Sequence, residues 1–328
     1  MKEIPSRLLK NESACASGAS PAGMRRRKRR PWGWGPHGTN AHTRPVVVML
    51  VTALAGLVLG AAPGARSAAP EWVRFETIPD LAVPLVAARL NGSQGYPFLL
   101  DLAIPEVLLD NTLIAGSGME LANRGEVQEI DYFGDKESVP VVYLARLEIG
   151  TVGAQGVKGL IIEGDDLARS QGIPSYGRIG RDFLEPFRLT IHYPRQLLLL
   201  EPSPEGADVP AGGVFFDKAL QGVHVETVVN QKLSTTFIVD PSVAICLLDR
   251  DWARDQKLAE GDDKVILLES FAVGGFTTSR VPVQLVEMER LPYPGRPLGV
   301  LGASLLRQLS VTYDFSRGLV WLRTLEGG

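Results

Sequence analysis

Two stretches of the chain share one pattern, and each is built around a single aspartate. The first is Tyr96-Pro-Phe-Leu-Leu-Asp-Leu-Ala-Ile-Pro-Glu-Val-Leu-Leu-Asp110, and it aligns without a gap on Thr235-Thr-Phe-Ile-Val-Asp-Pro-Ser-Val-Ala-Ile-Cys-Leu-Leu-Asp249. The alignment places Asp101 on Asp240, each at the end of an apolar run that is typical of a buried strand. The chain therefore contains an internal duplication, and each copy offers one carboxylate.

Two further pairs of segments extend the duplication. Residues 177–200 align without gaps on residues 299–322, and residues 149–163 align on residues 273–287. Between the two copies lies Pro202-Ser-Pro-Glu-Gly-Ala-Asp-Val-Pro-Ala-Gly-Gly213, whose Pro and Gly content is typical of a linker. The body of the chain otherwise consists of short runs of β-branched and apolar residues bounded by Gly, Pro, Asn or Asp, which indicate strands and hairpins.

This pattern predicts an all-β fold of two homologous β-barrel-like lobes with few short helices, preceded by one apolar export segment. The predicted segments are a basic N-terminal region (1–44), a signal peptide or membrane anchor (45–69), a first lobe (70–202), a linker (203–213) and a second lobe (214–328).

The N-terminal region carries the signals for export. The cationic stretch Met24-Arg-Arg-Arg-Lys-Arg-Arg30 precedes the uncharged apolar run Val46–Ala62, which has 17 residues. Positive charge stays on the cytoplasmic side, so the residues after Pro63 are predicted to lie outside the cytoplasm, in the periplasm or beyond. The run is long for a cleaved signal and short for a membrane span. Cleavage and retention as an inner-membrane anchor therefore both remain open.

Composition excludes several function classes. Residues 1–68 hold 11 of the 34 Lys and Arg and 2 of the 37 Asp and Glu, so the body is strongly acidic. Nucleic-acid-binding surfaces are basic, so the acidic body argues against nucleic-acid binding. Cys15 and Cys246 are the only cysteines, on opposite sides of the predicted membrane, so we expect no disulfide and no cysteine metal site. His192 and His224 fit no zinc motif, and we expect neither a metal nor a cofactor.

The duplicated elements resemble those of the aspartic peptidases of the retropepsin and pepsin kind. In that family an apolar strand ends in Asp-Thr-Gly or Asp-Ser-Gly, and a later element has two apolar residues and a glycine. Here Asp101 and Asp240 end the first elements, while Arg178-Ile-Gly180 and Val300-Leu-Gly302 correspond to the second. The resemblance implies a catalytic pair of carboxylates that share one proton and activate a water molecule against a peptide bond.

The residues after the two aspartates depart from the family pattern. Leu102-Ala103 and Pro241-Ser242 stand where the family has Thr or Ser followed by Gly. Leu102 and Pro241 have no hydroxyl to tie the two loops together, and Ala103 and Ser242 add a Cβ that requires a negative φ. The sequence thus favours a protein that binds extended peptide between its lobes with weak or lost hydrolysis. The alternatives are an active endopeptidase that uses Asp101 and Asp240, or a structural module of an envelope assembly.

The residues that follow the two aspartates are also candidate contacts for a bound peptide: Leu102, Ala103, Pro241 and Ser242. Three further positions complete the candidate set. Tyr132 lies in a predicted hairpin where the family places a flap over the substrate, so it is a candidate contact for a peptide or protein ligand, although an aromatic residue beside a hairpin turn more often serves packing. Asp110 and Asp249 are duplicated too, but their position suits the start of a turn or helix.

The orientation of the charged and apolar segments generates a test. A reporter enzyme that works only outside the cytoplasm is expected to be active when it is fused after Gly328. The positive stretch stays in the cytoplasm, so the residues after the apolar run are exported. Activity of a cytoplasmic reporter at the same position would contradict the predicted localisation. The mass of the mature N-terminus then distinguishes a cleaved signal from a retained anchor.

Overall fold

The structure is a computed structural model that describes residues 70–117, 121–132, 135–163, 172, 174–204, 206 and 209–324. All of them belong to Pro63–Gly328, the second of the two units into which the chain divides. The predicted basic region and most of the export segment lie outside the described residues. No helix in the described part of the chain combines the length and apolar character needed to cross a membrane.

The described chain is built almost entirely from strands. The first half contains β1 (Val73–Arg74), β2 (Glu76–Thr77), β3 (Pro84–Leu90), β4 (Gly95–Leu100), β5 (Val107–Asp110), β6 (Ala122–Tyr132), β7 (Asp135–Ile149), β8 (Val152–Ile162), β9 (Gly177–Ile179), β10 (Phe187–His192) and β11 (Leu197–Pro202). The second half contains β12 (Val214–Phe215), β13 (Val223–Val229), β14 (Leu233–Val239), β15 (Cys246–Asp249), β16 (Val265–Val273), β17 (Phe276–Val286), β18 (Gly299–Leu301), β19 (Leu309–Asp314) and β20 (Leu319–Thr324).

Helices are short and sit at equivalent places in the two halves. The α-helices are α1 (Asn111–Ser117), α2 (Arg181–Leu184), α3 (Arg250–Asp255) and α4 (Ala303–Leu306), and 3₁₀ turns span Tyr193–Arg195 and Met288–Arg290. Helices α1 and α3 follow the strands that end in Asp110 and Asp249, while α2 and α4 follow Gly180 and Gly302. The duplication read from the sequence is therefore present in the order of the elements.

Each half closes a six-stranded barrel with the same strand order. The second half forms the closed ring β13-β14-β18-β15-β17-β16. The first half forms the equivalent ring β3-β4-β9-β5-β8-β7, closed by the β3–β7 pairing and extended by β2 and β6. A third sheet, β1-β11-β10-β19-β20-β12, joins the two halves. The predicted all-β, two-barrel fold class is confirmed; the proposed boundaries of the lobes and the linker stay predictions.

The alternation of side chains explains the burial of these strands. On β10 every second residue is buried, and the same alternation runs along β19 until Asp314. One continuous cluster of buried side chains fills both barrels and the inner side of the joining sheet, with Phe98, Phe237 and Tyr313 among its largest members. Burial of aromatic and aliphatic side chains at this scale is the dominant stabilising contribution to such a fold.

Two glycines are required where the chain crosses itself beside each aspartate. A Cβ on Gly180 would lie 2.2 Å from the carbonyl oxygen of Glu106, and one on Gly302 would lie 2.3 Å from that of Ile245. Real Cβ atoms do not approach backbone oxygens so closely. The glycine of the duplicated second element is therefore fixed by the packing of backbone on backbone.

This packing makes the glycines sensitive to substitution. Gly302→Ala is expected to lower the free energy of unfolding by about 3 kcal/mol, because the backbone must move to admit the methyl group. Gly116→Ala is the matched control: no atom lies within 4 Å of its added Cβ, and the change should stay within about 1 kcal/mol. Urea unfolding of both variants measures the difference, and equal effects would contradict the close approach.

Candidate active site

The two aspartates occupy equivalent places at the ends of paired strands. Asp101 follows β4 and its N–H donates to the carbonyl of Ile179 at 3.1 Å; Asp240 follows β14 and its N–H donates to the carbonyl of Leu301, also at 3.1 Å. These bonds continue the parallel pairing of β4 with β9 and of β14 with β18. Each barrel thus delivers one carboxylate at the point where its two inner strands meet, as the sequence predicted.

Asp101 is bound by an arginine of its own barrel. Its Oδ1 accepts from the N–H of Ala103 at 3.0 Å, and its Oδ2 accepts from Nη1 of Arg178 at 2.7 Å. The two side chains are 17% and 22% exposed. A short charge-assisted hydrogen bond at this degree of burial is among the stronger polar contacts in a protein. Sequence reasoning did not include Arg178 in the site.

Asp240 is bound by a tyrosine instead. Its Oδ1 accepts from the N–H of Ser242 at 2.8 Å and from the Ser242 hydroxyl, while its Oδ2 accepts from the hydroxyl of Tyr293 at 2.7 Å. Burial raises the pKa of Tyr293 well above its usual value, and the nearby Asp240 carboxylate raises it further. Tyr293 therefore keeps its proton and remains a donor to Asp240 through the physiological pH range.

The residues that follow the aspartates fill different roles. Leu102 is 4% exposed and packs into the barrel core. Pro241 is buried, and its carbonyl accepts from the N–H of Ala82 at 2.8 Å, which links the second barrel to the segment before β3. Neither Ala103 nor Ser242 is among the described residues with a positive φ, so the added Cβ is tolerated. A backbone hydrogen bond thus connects the halves where the hydroxyl ties are missing.

Two arginines fix the barrels beside the site. Arg307 donates to the carbonyl of Leu81 at 2.7 Å and to that of Ile78 at 3.3 Å, and Arg181 donates to the carbonyl of Leu220 at 3.0 Å. Leu81 and Leu220 occupy equivalent positions before β3 and β13. Each half therefore reaches across to the same part of the other. Burial lowers the pKa of Arg181, with neighbouring carboxylates opposing the shift.

The hairpin with Tyr132 is present, but its tip is only partly described. Tyr132 is the last residue of β6 and pairs with Asp135 at the start of β7. Residues 133–134 and the side chain of Tyr132 lie outside the described part of the chain. The role of Tyr132 as a ligand contact stays a prediction.

The remaining candidates have local partners. Asp249 caps α3 through the N–H of Trp252 at 2.8 Å, and Asp110 accepts from the N–H of Thr112 at 2.8 Å. His192 accepts from a backbone N–H in a turn. Among the described residues, no group of three or more His, Cys, Asp or Glu side chains is placed to hold a metal ion.

The sequence held one signal for Arg178 and none for Tyr293. Arg178 aligns on Val300, which is fully buried among apolar side chains. A charged residue inside a duplicated apolar element requires a partner, but the sequence does not indicate which one. Tyr293 lies in an irregular loop between the Met288–Arg290 turn and β18, where no periodicity relates sequence to side-chain direction.

The fold is similar to that of solved aspartic proteinases. The crystal structure of an aspartic proteinase from Irpex lacteus aligns with a TM-score of 0.54 at 13% sequence identity, covering 79% of this chain and 98% of that chain. No family model and no curated protein sequence matches the chain. The chain thus has the two-barrel aspartic-proteinase architecture. At this identity the likeness establishes the fold alone.

The Tyr293 contact generates a test with a defined pH dependence. Tyr293→Phe is expected to lower the free energy of unfolding by about 1–2 kcal/mol at neutral pH, because Asp240 loses a donor. A group whose pKa is raised on folding contributes stability that is lost as pH rises above its unfolded value, here about 10. The gap between wild type and variant should therefore narrow above that pH. Urea unfolding across alkaline pH measures it, and a constant gap would contradict the raised pKa.

Proposed function

We propose that the protein binds extended peptide segments between its two barrels, and that hydrolysis of the bound peptide is weak or lost. The observation that carries the proposal is the ion pair between Arg178 and Asp101. Arg178 occupies the position at which the second barrel has the buried Val300. The protein would then retain the architecture of an aspartic proteinase while its carboxylates serve to hold side chains in place.

The donors bound to the Asp101 carboxylate support weak or lost hydrolysis. A guanidinium has only donors, so the Oδ2 that faces Arg178 must accept. Aspartic-peptidase chemistry needs one carboxyl to donate to the substrate carbonyl while the other removes a proton from water. With Oδ1 bound to the N–H of Ala103 as well, Asp101 can perform that exchange only after Arg178 moves away.

Both oxygens of the Asp240 carboxylate are also bound by donors. Its Oδ2 accepts from the hydroxyl of Tyr293, which keeps its proton because burial and the Asp240 carboxylate raise its pKa. Its Oδ1 is engaged by both the N–H and the hydroxyl of Ser242. The two carboxylates therefore have different fixed donors, whereas a proton-sharing pair requires each to be available to the other and to one water.

Active endopeptidase chemistry is the second candidate, and one observation favours it. The N–H groups of Ala103 and Ser242 bind their aspartates at 3.0 and 2.8 Å, so the backbone support of both carboxylates is kept despite the changed side chains. In this alternative Asp101 and Asp240 share a proton during catalysis and Arg178 swings aside when the peptide enters.

Export is part of the proposal and rests on the sequence of the N-terminal region. The ligand is then a peptide or protein segment of the exported compartment, with the membrane as a further partner if segment 45–69 is retained. Nucleic acid is not among the proposed partners, because the body of the chain is acidic.

A restoration series separates binding from hydrolysis. The natural chain should bind a fluorescent pool of unstructured peptides without cleaving it from acidic to neutral pH. Combining Arg178→Val with Leu102→Thr, Ala103→Gly, Pro241→Thr and Ser242→Gly should raise cleavage at least about tenfold above the natural chain or above the detection limit, since misplacement of catalytic groups can cost about a hundredfold in rate. Anisotropy measures binding and mass spectrometry measures cleavage.

The matched control removes an arginine away from the site. Arg188→Val breaks the comparable pair with Glu201, whose contact distance is 2.8 Å, and should change neither binding nor cleavage. Strong cleavage by the natural chain that disappears in Asp101→Asn and in Asp240→Asn would establish the endopeptidase instead. Absence of peptide binding in every variant would refute both candidates.

A further inference from the structure

The two barrels differ at one pair of equivalent strand edges. In the first barrel one edge of β7 pairs with β8. The other edge pairs with β3 near its end and with β6 along the rest, where Ala122 lies opposite Tyr143. In the second barrel β16 corresponds to β7, and Leu267 aligns on Tyr143. Here β13 pairs with β16 at Phe271 and Ala272, and no described strand takes the place of β6.

The open edge is Val265–Glu269, and its outer face carries the apolar Val265 and Leu267 followed by the charged Glu269. Val265 is 58% exposed and Leu267 is 46% exposed, while Ile266 and Leu268 point toward the barrel. Ser270, the next residue, is already bound to Asn230 through two hydrogen bonds of 2.9 and 3.1 Å. An exposed apolar strand edge with unpaired backbone groups is a template for adding another strand.

The pairing with β17 shows which backbone groups face outward. The N–H of Leu285 donates to the carbonyl of Lys264 at 2.8 Å, and Pro282, which has no N–H, lies opposite Leu267. Hydrogen-bonded positions alternate along an antiparallel pair, so Lys264 and Ile266 bond toward β17. The N–H and C=O groups of Val265 and Leu267 therefore point to the open edge.

We propose that this edge pairs with the same edge of a second copy of the chain, antiparallel and about a twofold axis at Ile266. Val265 of each copy then lies opposite Leu267 of the other, and the two residues exchange their N–H and C=O groups. The arrangement forms four backbone hydrogen bonds and two apolar cross-strand pairs without a charge opposite either residue.

The edge itself points to a second copy as the occupant. The free groups of Val265 and Leu267 are arranged symmetrically about Ile266, so one strand is complementary to its own image, as an isologous contact requires. In the first barrel the corresponding edge is likewise covered by an antiparallel strand, β6. Pairing of the β16 edge with the outer edge of β6 would be heterologous, and repeated contacts of that kind build rings or open filaments. Self-pairing closes a dimer with one edge from each copy.

Charge pairs across the axis give a test that depends on this register. Sedimentation velocity of the full-length protein, in one buffer and detergent for all variants, should show a monomer–dimer equilibrium. Val265→Lys and Leu267→Glu, made singly, should each raise the dimer dissociation constant at least about tenfold. Combined in one chain, they place Lys opposite Glu twice and should restore the constant to within about threefold of wild type.

The control is Phe215→Lys, which changes another exposed apolar residue, 64% exposed, on a different sheet edge. It should leave the dissociation constant unchanged. Wild-type protein that stays monomeric up to about 100 µM, assemblies larger than dimers, a double variant that is no better than the single ones, or loss of the dimer in Phe215→Lys would each overturn the proposal. Sedimentation needs no peptide ligand, so its outcome is independent of the proposed function.

Discussion

The antiparallel pairing of β10 with β19 is the contact on which the relation of the two barrels depends. Thr190 and Thr312 are equivalent residues of the duplication; they lie directly opposite each other, and their hydroxyls are 3.0 Å apart. The twofold relation between the halves therefore passes through this pair. Because a strand ladder is made by backbone groups, it persists while side chains diverge. This explains how two barrels that share few identical residues are still related by a twofold axis.

A buried carboxylate completes the joining sheet. Asp314 is fully buried at the end of β19 and accepts from the hydroxyls of Ser203 and Ser316 at 2.8 and 2.9 Å, with Arg317 3.7 Å away. A buried charge is tolerated only when such donors surround it. Ser203 begins the segment between the halves, so the same contact anchors the start of that segment to the sheet.

The symmetric frame supports an asymmetric site. Backbone packing at the two crossing glycines places Asp101 and Asp240 in equivalent positions, yet one carboxylate is held by Arg178 and the other by Tyr293. The equivalence of the two positions comes from backbone contacts and glycines, so the side chains around the two carboxylates can differ. The clearest difference is at Arg178, whose equivalent in the second half is the buried Val300.

The duplication, the all-β class and the placement of Asp101 and Asp240 at strand ends could be predicted from the sequence, because gap-free repeats and apolar periodicity are local signals. It also indicated Asp249 as the start of a helix, which α3 confirms. The donors that bind the aspartates could not be predicted in this way, because Arg178 is 77 residues from Asp101 in the chain and Tyr293 is 53 residues from Asp240. Such contacts depend on the path of strands and loops through space, which no local pattern encodes.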